Sequence, residues 1–322
     1  MKTTMTIKKG AALAMLLSAT MISNAHALTV YTAGPGTLAK GLASGFEQKT
    51  GVKVNIFQAT TGKVMARLEA EQANPQADVL ISASWDTAED LHHRGWLLPY
   101  QSANADKVPA NLKSSDYVAQ GISALGIVWN SKSGTPEPKE WRDLTEAAFK
   151  GKVTTPDPAL SGASLDLLIG LQNGMGDKAW ALFDELKKNG MVVSGPNAQA
   201  VTPVMQGAKA AVFGAVDYVS YGNISQGESL KVIFPASGTV IAPRPMMILK
   251  TTQHADEAKA FVDYVLSPEG QTLVADAWLM PARSDVAAKR PLLNELKILP
   301  TANDGNSERS AVLSRFNQLF AQ

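Results

Sequence analysis

The 322-residue chain contains no cysteine. Disulfides, thiolate metal centres and thiol nucleophiles are therefore excluded, and stability has to come from packing. Histidine is scarce: four occur, and His92, His93 and His254, the three beyond residue 27, stand at no metal-ligand spacing. No HExxH, GxSxG or Ser-Lys signature is present. Carboxylate neighbours such as Glu89 and Asp90, or Glu140 and Asp143, read as solvated helix faces rather than as a glycosidase pair. Charge of one sign is missing too. The formal charge of +1 becomes −2 once Lys2, Lys8 and Lys9 are set aside with the leader described below, which leaves no basic surplus for nucleic acid.

Long apolar runs are also absent. The run Ala11 to Ile22 is shorter than the roughly 20 residues that a transmembrane helix needs. It follows the basic Lys2, Lys8 and Lys9 and precedes the small Ala25 and Ala27, so residues 1–27 read as a secretory signal peptide. The remaining 295 residues start at Leu28 and suggest an exported protein of two domains at about 100–200 residues each. A composition 45% hydrophobic suffices for a sizeable core.

The stretch Thr154 to Leu171, TTPDPALSGASLDLLIGL, organises the reading. Pro156 and Pro158 end a strand, and Ser161, Gly162, Ala163 and Ser164 place small residues where an apolar helix begins. A helix start has unpaired backbone N–H groups and the positive end of the dipole, so small residues there let an anionic oxygen approach. Ser161 also has a simpler reading, as the cap of its helix.

From Leu28 the elements alternate. LTVYTAG, VKVNIFQA and ADVLISAS read as strands, separated by helices that start at Gly36 and near Thr60. This is the βαβ pattern of a parallel sheet covered by helices. Ligands in such sheets sit beyond the carboxyl ends of the strands, where Thr32, Gly34, Thr61, Gly62, Lys63, Ser82 and Ser84 fall. The phosphate-loop frame is absent, because Val64 replaces the required hydroxyl, so nucleotide hydrolysis is not expected. A second α/β unit follows residue 122. It includes the anchor stretch, a turn bearing Asn197, and a strand ending in Asp217 and Tyr218. Asp217 is read as a cleft residue suited to a ligand with an ammonium or hydroxyl group, or else as a helix cap or turn residue. Trp85 is a candidate for stacking on a ligand or a core residue. DEAKAFVDYVLSPEGQTLVADAW reads as one helix, and the residues after Val286 as a weakly patterned polar tail. Extended crossings near Gly121–Val128 and Ile233–Val240 make the two units a hinged clamp.

LTVYTAG, GFEQKTGVKVN, TTGK, NPQADVLISAS, SALGIVWNSK, PDPALSGAS, DEAKAFVDYVLSPEGQ and MPARSDV, taken in order, resemble the periplasmic substrate-binding proteins of bacterial ABC importers. The similarity is to the cluster of ferric-ion, phosphonate and sugar-phosphate binders. It implies a two-lobed type II α/β fold with lobe 1 formed by 28–122 plus 238–285 and lobe 2 by 123–237 plus 286–322. It also implies a periplasmic location, no enzymatic activity, an inner-membrane permease as partner, and no cofactor; a monomer that binds no nucleic acid is expected. Where ferric members carry a histidine, a glutamate and a tyrosine pair, this chain has Pro35, Ala83 and Asp217–Tyr218. Three of those four ligands are thus missing. Thr61–Gly62–Lys63 and Ser161–Gly162–Ala163 match the family's two anion-holding helix starts. The resulting expectation is a small anionic organophosphorus ligand held by both helix starts and Lys63, with Asp217, Tyr218 and Asn197 reading the remainder. The alternatives are a ferric or other metal complex held through Tyr218, Tyr221 and an outside anion, and a phosphate-ester hydrolase, for which neither a nucleophile with an activating base nor a metal site is seen.

Overall fold

A computed structural model describes residues 27–291, 293–301 and 306–321. The expected signal peptide lies outside the described residues. The chain begins β1 (Leu28–Thr32), α1 (Gly36–Thr50), β2 (Val54–Gln58), α2 (Thr61–Ala70), β3 (Val79–Ile81) and α3 (Trp85–His93). It continues through β4 (Tyr117–Asn130), β5 (Val153–Thr155), α4 (Gly162–Met175), α5 (Asp177–Lys188), β6 (Val192–Val193), α6 (Asn197–Met205), β7 (Ala211–Val216), α7 (Asp217–Ser225) and β8 (Leu230–Ile233). It closes with β9 (Ile241–Ile248), α8 (Ala255–Val265), α9 (Pro268–Asp276), β10 (Met280–Pro281) and α10 (Asn306–Phe320).

The strands run in the order β2-β1-β3-β9-β4-β7-β5-β6, with β8 and β10 paired to β4. β1 is parallel to β2 and β3, and β5 is parallel to β6 and β7, as short βαβ units require. β4 joins the two groups. Its residues up to Ala124 pair antiparallel with β9, and those from Leu125 onward pair with β7 and β8. All 14 of its residues are buried, and most are apolar or small, as a strand covered on both faces requires.

Each half of β4 has its own core. Leu42, Phe46, Val79 and Phe261 pack on the first, and Trp141, Phe149, Phe183 and Phe213 on the second. This is the α/β, two-lobed architecture anticipated above. Helix α1 buries Leu38, Leu42, Ala43 and Phe46 on one stripe and stops at Gly51, whose φ of 77° a side chain would strain. Helix α4 is buried from Gly162 to Leu171, so it lies inside the second half rather than on its surface.

Two elements differ from the sequence reading. The long helix expected after His254 is two, α8 and α9, because Pro268 occupies the first turn of α9 and Ser267 caps it, its Oγ accepting from the Gly270 N–H at 3.1 Å. The polar tail contains α10, whose Val312 and Phe316 are buried in the second core. Among the described residues no helix is long and apolar enough to cross a membrane.

Candidate functional site

The carboxyl ends of β1 and β2 and the starts of α2, α4 and α6 converge on one cavity of about 380 Å³. Gly34, Thr61 and Lys63 line it from the first half, and Ser161, Ala163, Asn197 and Tyr218 from the second. These are seven of the positions singled out in the sequence.

Helix starts shape the walls. Thr60 caps α2, its side chain accepting from the Lys63 N–H, and Ser161 caps α4, its Oγ accepting from the Ser164 N–H at 3.1 Å. Ser161 Oγ also accepts from Asn197 Nδ2 at 2.7 Å, while Asn197 Oδ1 accepts from the Val216 N–H at 3.2 Å. With both lone pairs of Ser161 Oγ engaged, its own O–H is left to donate, and Ser161 lines the cavity. Asn197 therefore acts through Ser161 as well as lining the wall itself. Across the cavity Thr61 Oγ1 is buried and has no hydrogen-bond partner.

The residue that sequence reasoning missed is Arg244, on β9. It is 1% exposed and lines the cavity. One guanidinium nitrogen donates to the Ala33 carbonyl, Nε has no partner, and the guanidinium lies 5.8 Å from the centre of the Tyr218 ring. No carboxylate lines the cavity among the described residues. Burial holds the Arg244 pKa below its usual value, the direction expected for a cation in low dielectric. An arginine flanked by prolines in a strand carries no local mark of this role; its only signal is a charge in the middle of the apolar run IAPRPMMIL.

The other expected positions lie elsewhere. Thr32 Oγ1 accepts from the Gly34 N–H at 3.1 Å and shapes the turn after β1. Ser82 Oγ donates to Thr87 Oγ1 at 2.9 Å, and Ser164 Oγ to the Pro156 carbonyl at 3.2 Å. Gly62 and Gly162 mark the contact between the halves. A Cβ on Gly62 would stand 2.6 Å from the Ala159 carbonyl oxygen, and one on Gly162 would stand 2.8 Å from Ser84 Cβ. Ser84 Oγ donates to Asp166 Oδ1 at 3.0 Å, again from one half to the other.

Asp217 does not face the cavity. It is fully buried, accepts from the Ala124 N–H at 3.0 Å where β4 changes partners, and pairs with Arg290. Burial pushes its carboxyl up to about 6 even though Arg290 opposes the shift. The strand-end position permitted this inward turn as readily as an outward one, and its partner lies 73 residues away in sequence. Trp85 packs edge-on against Tyr117, with ring centres 5.0 Å apart. Tyr221 sits between Trp278 and Arg290 and outside the cavity lining; burial raises its phenol to about 12. His92 Nδ1 lies 2.7 Å from Asp116. Among the described residues no three His, Asp or Glu side chains are grouped to hold a metal ion.

The family model for bacterial extracellular solute-binding proteins matches residues 74–305. The chain belongs to that family. A Haemophilus influenzae protein of uncharacterised function is 32% identical over 266 residues, covering 78% of this chain and 75% of its own. A putative 2-aminoethylphosphonate-binding periplasmic protein of Salmonella typhimurium is 28% identical, covering 75% of this chain and 73% of its own. Among solved structures, the periplasmic binding protein AfuA of Actinobacillus pleuropneumoniae, with fructose-6-phosphate bound, superposes with a TM-score of 0.83 at 25% identity, over 91% of this chain and 98% of that one. Iron-bound HitA of Pseudomonas aeruginosa shares the fold, with a TM-score of 0.81 at 22% identity over 91% and 99%. The protein is a periplasmic substrate-binding component of an ABC importer. Members of the family deliver a small molecule to a membrane permease and are not enzymes.

Proposed function

We propose that this chain captures a small organophosphorus anion, a phosphate ester in preference to an aminophosphonate. The observation that carries the reading is Arg244, a buried guanidinium that faces the cavity with a free Nε and no carboxylate nearby. An unpaired buried cation is costly, and an anionic ligand supplies the missing charge. The unpartnered Thr61 hydroxyl, the Ser161 hydroxyl, Lys63 and the start of α4 line the same cavity. Donors from several directions suit the three outer oxygens of a phosphoryl group, and charge-assisted bonds of this kind are about twice as strong as neutral ones.

The same cavity offers an ammonium no counter-charge, since Asp217 is committed to Arg290. Tyr218, Gln58 and Asn197 leave the organic part to be read by ring contact and neutral hydrogen bonds. The similarity to a fructose-6-phosphate-bound protein supports this choice, and the similarity to a putative aminophosphonate binder supports the phosphoryl half of it. Lobe 1 is taken as 28–122 plus 238–285 and lobe 2 as 123–237 plus 286–322, closing on the ligand at Gly62 and Gly162.

Titration calorimetry tests the proposal, with inorganic phosphate, sugar phosphates, glycerol phosphates, 2-aminoethylphosphonate and ferric citrate, each with and without chelator. Tightest binding to a phosphate ester, insensitive to chelator, is expected. Binding confined to ferric citrate, or tightest binding to 2-aminoethylphosphonate, would overturn the ligand class.

A further inference from the structure

The two halves are joined beside the cavity by a charged cluster that does not line it. Helix α10 is anchored in the second half by Val312 and Phe316, and from its N-terminal turns Arg309 reaches toward the first half. Its guanidinium binds Asp166 of α4 at 2.8 Å and Ser84 Oγ at 3.3 Å, and it pairs with Asp86 in the first turn of α3. Ser84 and Asp86 belong to the first half, Asp166 and Arg309 to the second. The side chains of Arg309, Asp86 and Asp166 are only 14%, 15% and 7% exposed, so solvent screens the group weakly. Removing the arginine would leave two carboxylates facing one another across the lobe boundary in a poorly solvated place.

We infer that Arg309 is a positioning residue for capture: it bridges Asp86 and Asp166 across the boundary between the lobes and sets the balance between open and closed protein. The bridge lies beside the site. Ser84 follows the cavity residue Ala83, and Gly162, which touches Ser84, lies between the cavity residues Ser161 and Ala163. Opening the lobes separates Asp86 from Arg309, while Asp166 stays with Arg309 in the same half. The bridge thus breaks on one side only, and the guanidinium keeps a partner throughout the motion. That arrangement lets the C-terminal helix act as the movable part of a latch without exposing an isolated charge. The inference rests on the two lobes moving about the cleft, and it is independent of the ligand's identity.

The absence of cysteine makes a direct measurement possible. Lys40→Cys on α1 and Lys178→Cys on α5, both exposed, place one spin label on each half. The interlabel distance distribution is read without added ligand and again with inorganic phosphate as the probe. Arg309→Met should shift the ligand-free distribution toward longer distances, lowering the closed-to-open ratio about tenfold. Adding Asp86→Asn and Asp166→Asn to that variant should bring the distances part of the way back, to those of Asp86→Asn alone, because the repulsion is then gone while the bridge is still missing; a purely structural role for Arg309 predicts no such rescue. Asp86→Asn alone cuts only the arm between the halves, and it serves if Arg309→Met does not fold. Unchanged distances in a folded Arg309→Met or in Asp86→Asn, or absence of rescue in the triple variant, would overturn the inference. Failure of phosphate to bind leaves the ligand-free comparison intact, so the two readings fail separately.

Discussion

Arg244 concentrates the physical argument for the site. Replacing it with Met keeps its length and removes its charge, so binding of the phosphoryl ligand should weaken by about 2–5 kcal/mol, the usual cost of truncating one partner of a buried charge pair. The ligand-free protein should melt no lower than the parent, because a buried cation without a carboxylate contributes a desolvation cost. Calorimetry and a ligand-free melt together check both halves of that prediction. Asp217 makes a different one. Its carboxyl is raised from 3.8 to about 6, so between those values the folded protein holds a proton that the unfolded chain releases. The group therefore favours folding below about pH 4, and that contribution is lost as pH rises through about 6. Asp217→Asn cannot titrate, so its stability relative to the parent should improve from pH 4.5 to pH 7.5, as read by parallel denaturant melts. A constant difference would mean that Arg290 holds the carboxyl at its ordinary value.

Among the elements, the helix starts bear the closest constraints. Gly62 and Gly162 were read in the sequence as openings for an anion, and in the fold they are also where α2 and α4 press against the opposite half. Gly62→Val should leave the far-ultraviolet spectrum intact and reduce affinity at least about tenfold, since a Cβ meets a carbonyl oxygen that cannot move aside. Unaltered affinity in a folded variant would mean that binding does not need this contact. The element boundaries that were legible had local causes: alternating or continuous apolar runs for β1 to β3, a glycine stop for α1, and serine or threonine caps for α2 and α4. Helix α10 was missed although Val312, Leu313, Phe316, Leu319 and Phe320 stand at helical spacing and pack on the second core; the polar residues between them masked the stripe. Phe316 lies 6.4 Å from Phe183 and stacks on Phe320 at 4.5 Å, so Phe316→Ala should cost about 3–5 kcal/mol in a denaturant melt.

For the whole molecule, capture is a shift between lobe arrangements, and its size follows from linkage. A ligand present at 100 times its dissociation constant stabilises the folded protein by about 2.7 kcal/mol, enough to raise the melting temperature by several degrees. Closure should accompany it as a fall in the radius of gyration by small-angle scattering. A melt that rises with no change in dimension would place ligand-free protein already in the closed form, as a strong Arg309 bridge predicts.

The amino-acid order by itself determined the α/β class, the two units, the likeness to solute binders and seven residues of the cavity wall, because each follows from periodicity, caps or short runs of neighbouring residues. Only the tertiary structure decided which charges meet. Arg244 reaches the Ala33 carbonyl across 211 residues, Arg309 reaches Asp86 across 223, and Asp217 turns inward to Arg290 rather than outward to a ligand. A charged side chain at a strand or helix end can point toward water, a ligand or a distant partner, and the outcome depends on burial and pairing that exist only once remote segments are packed together.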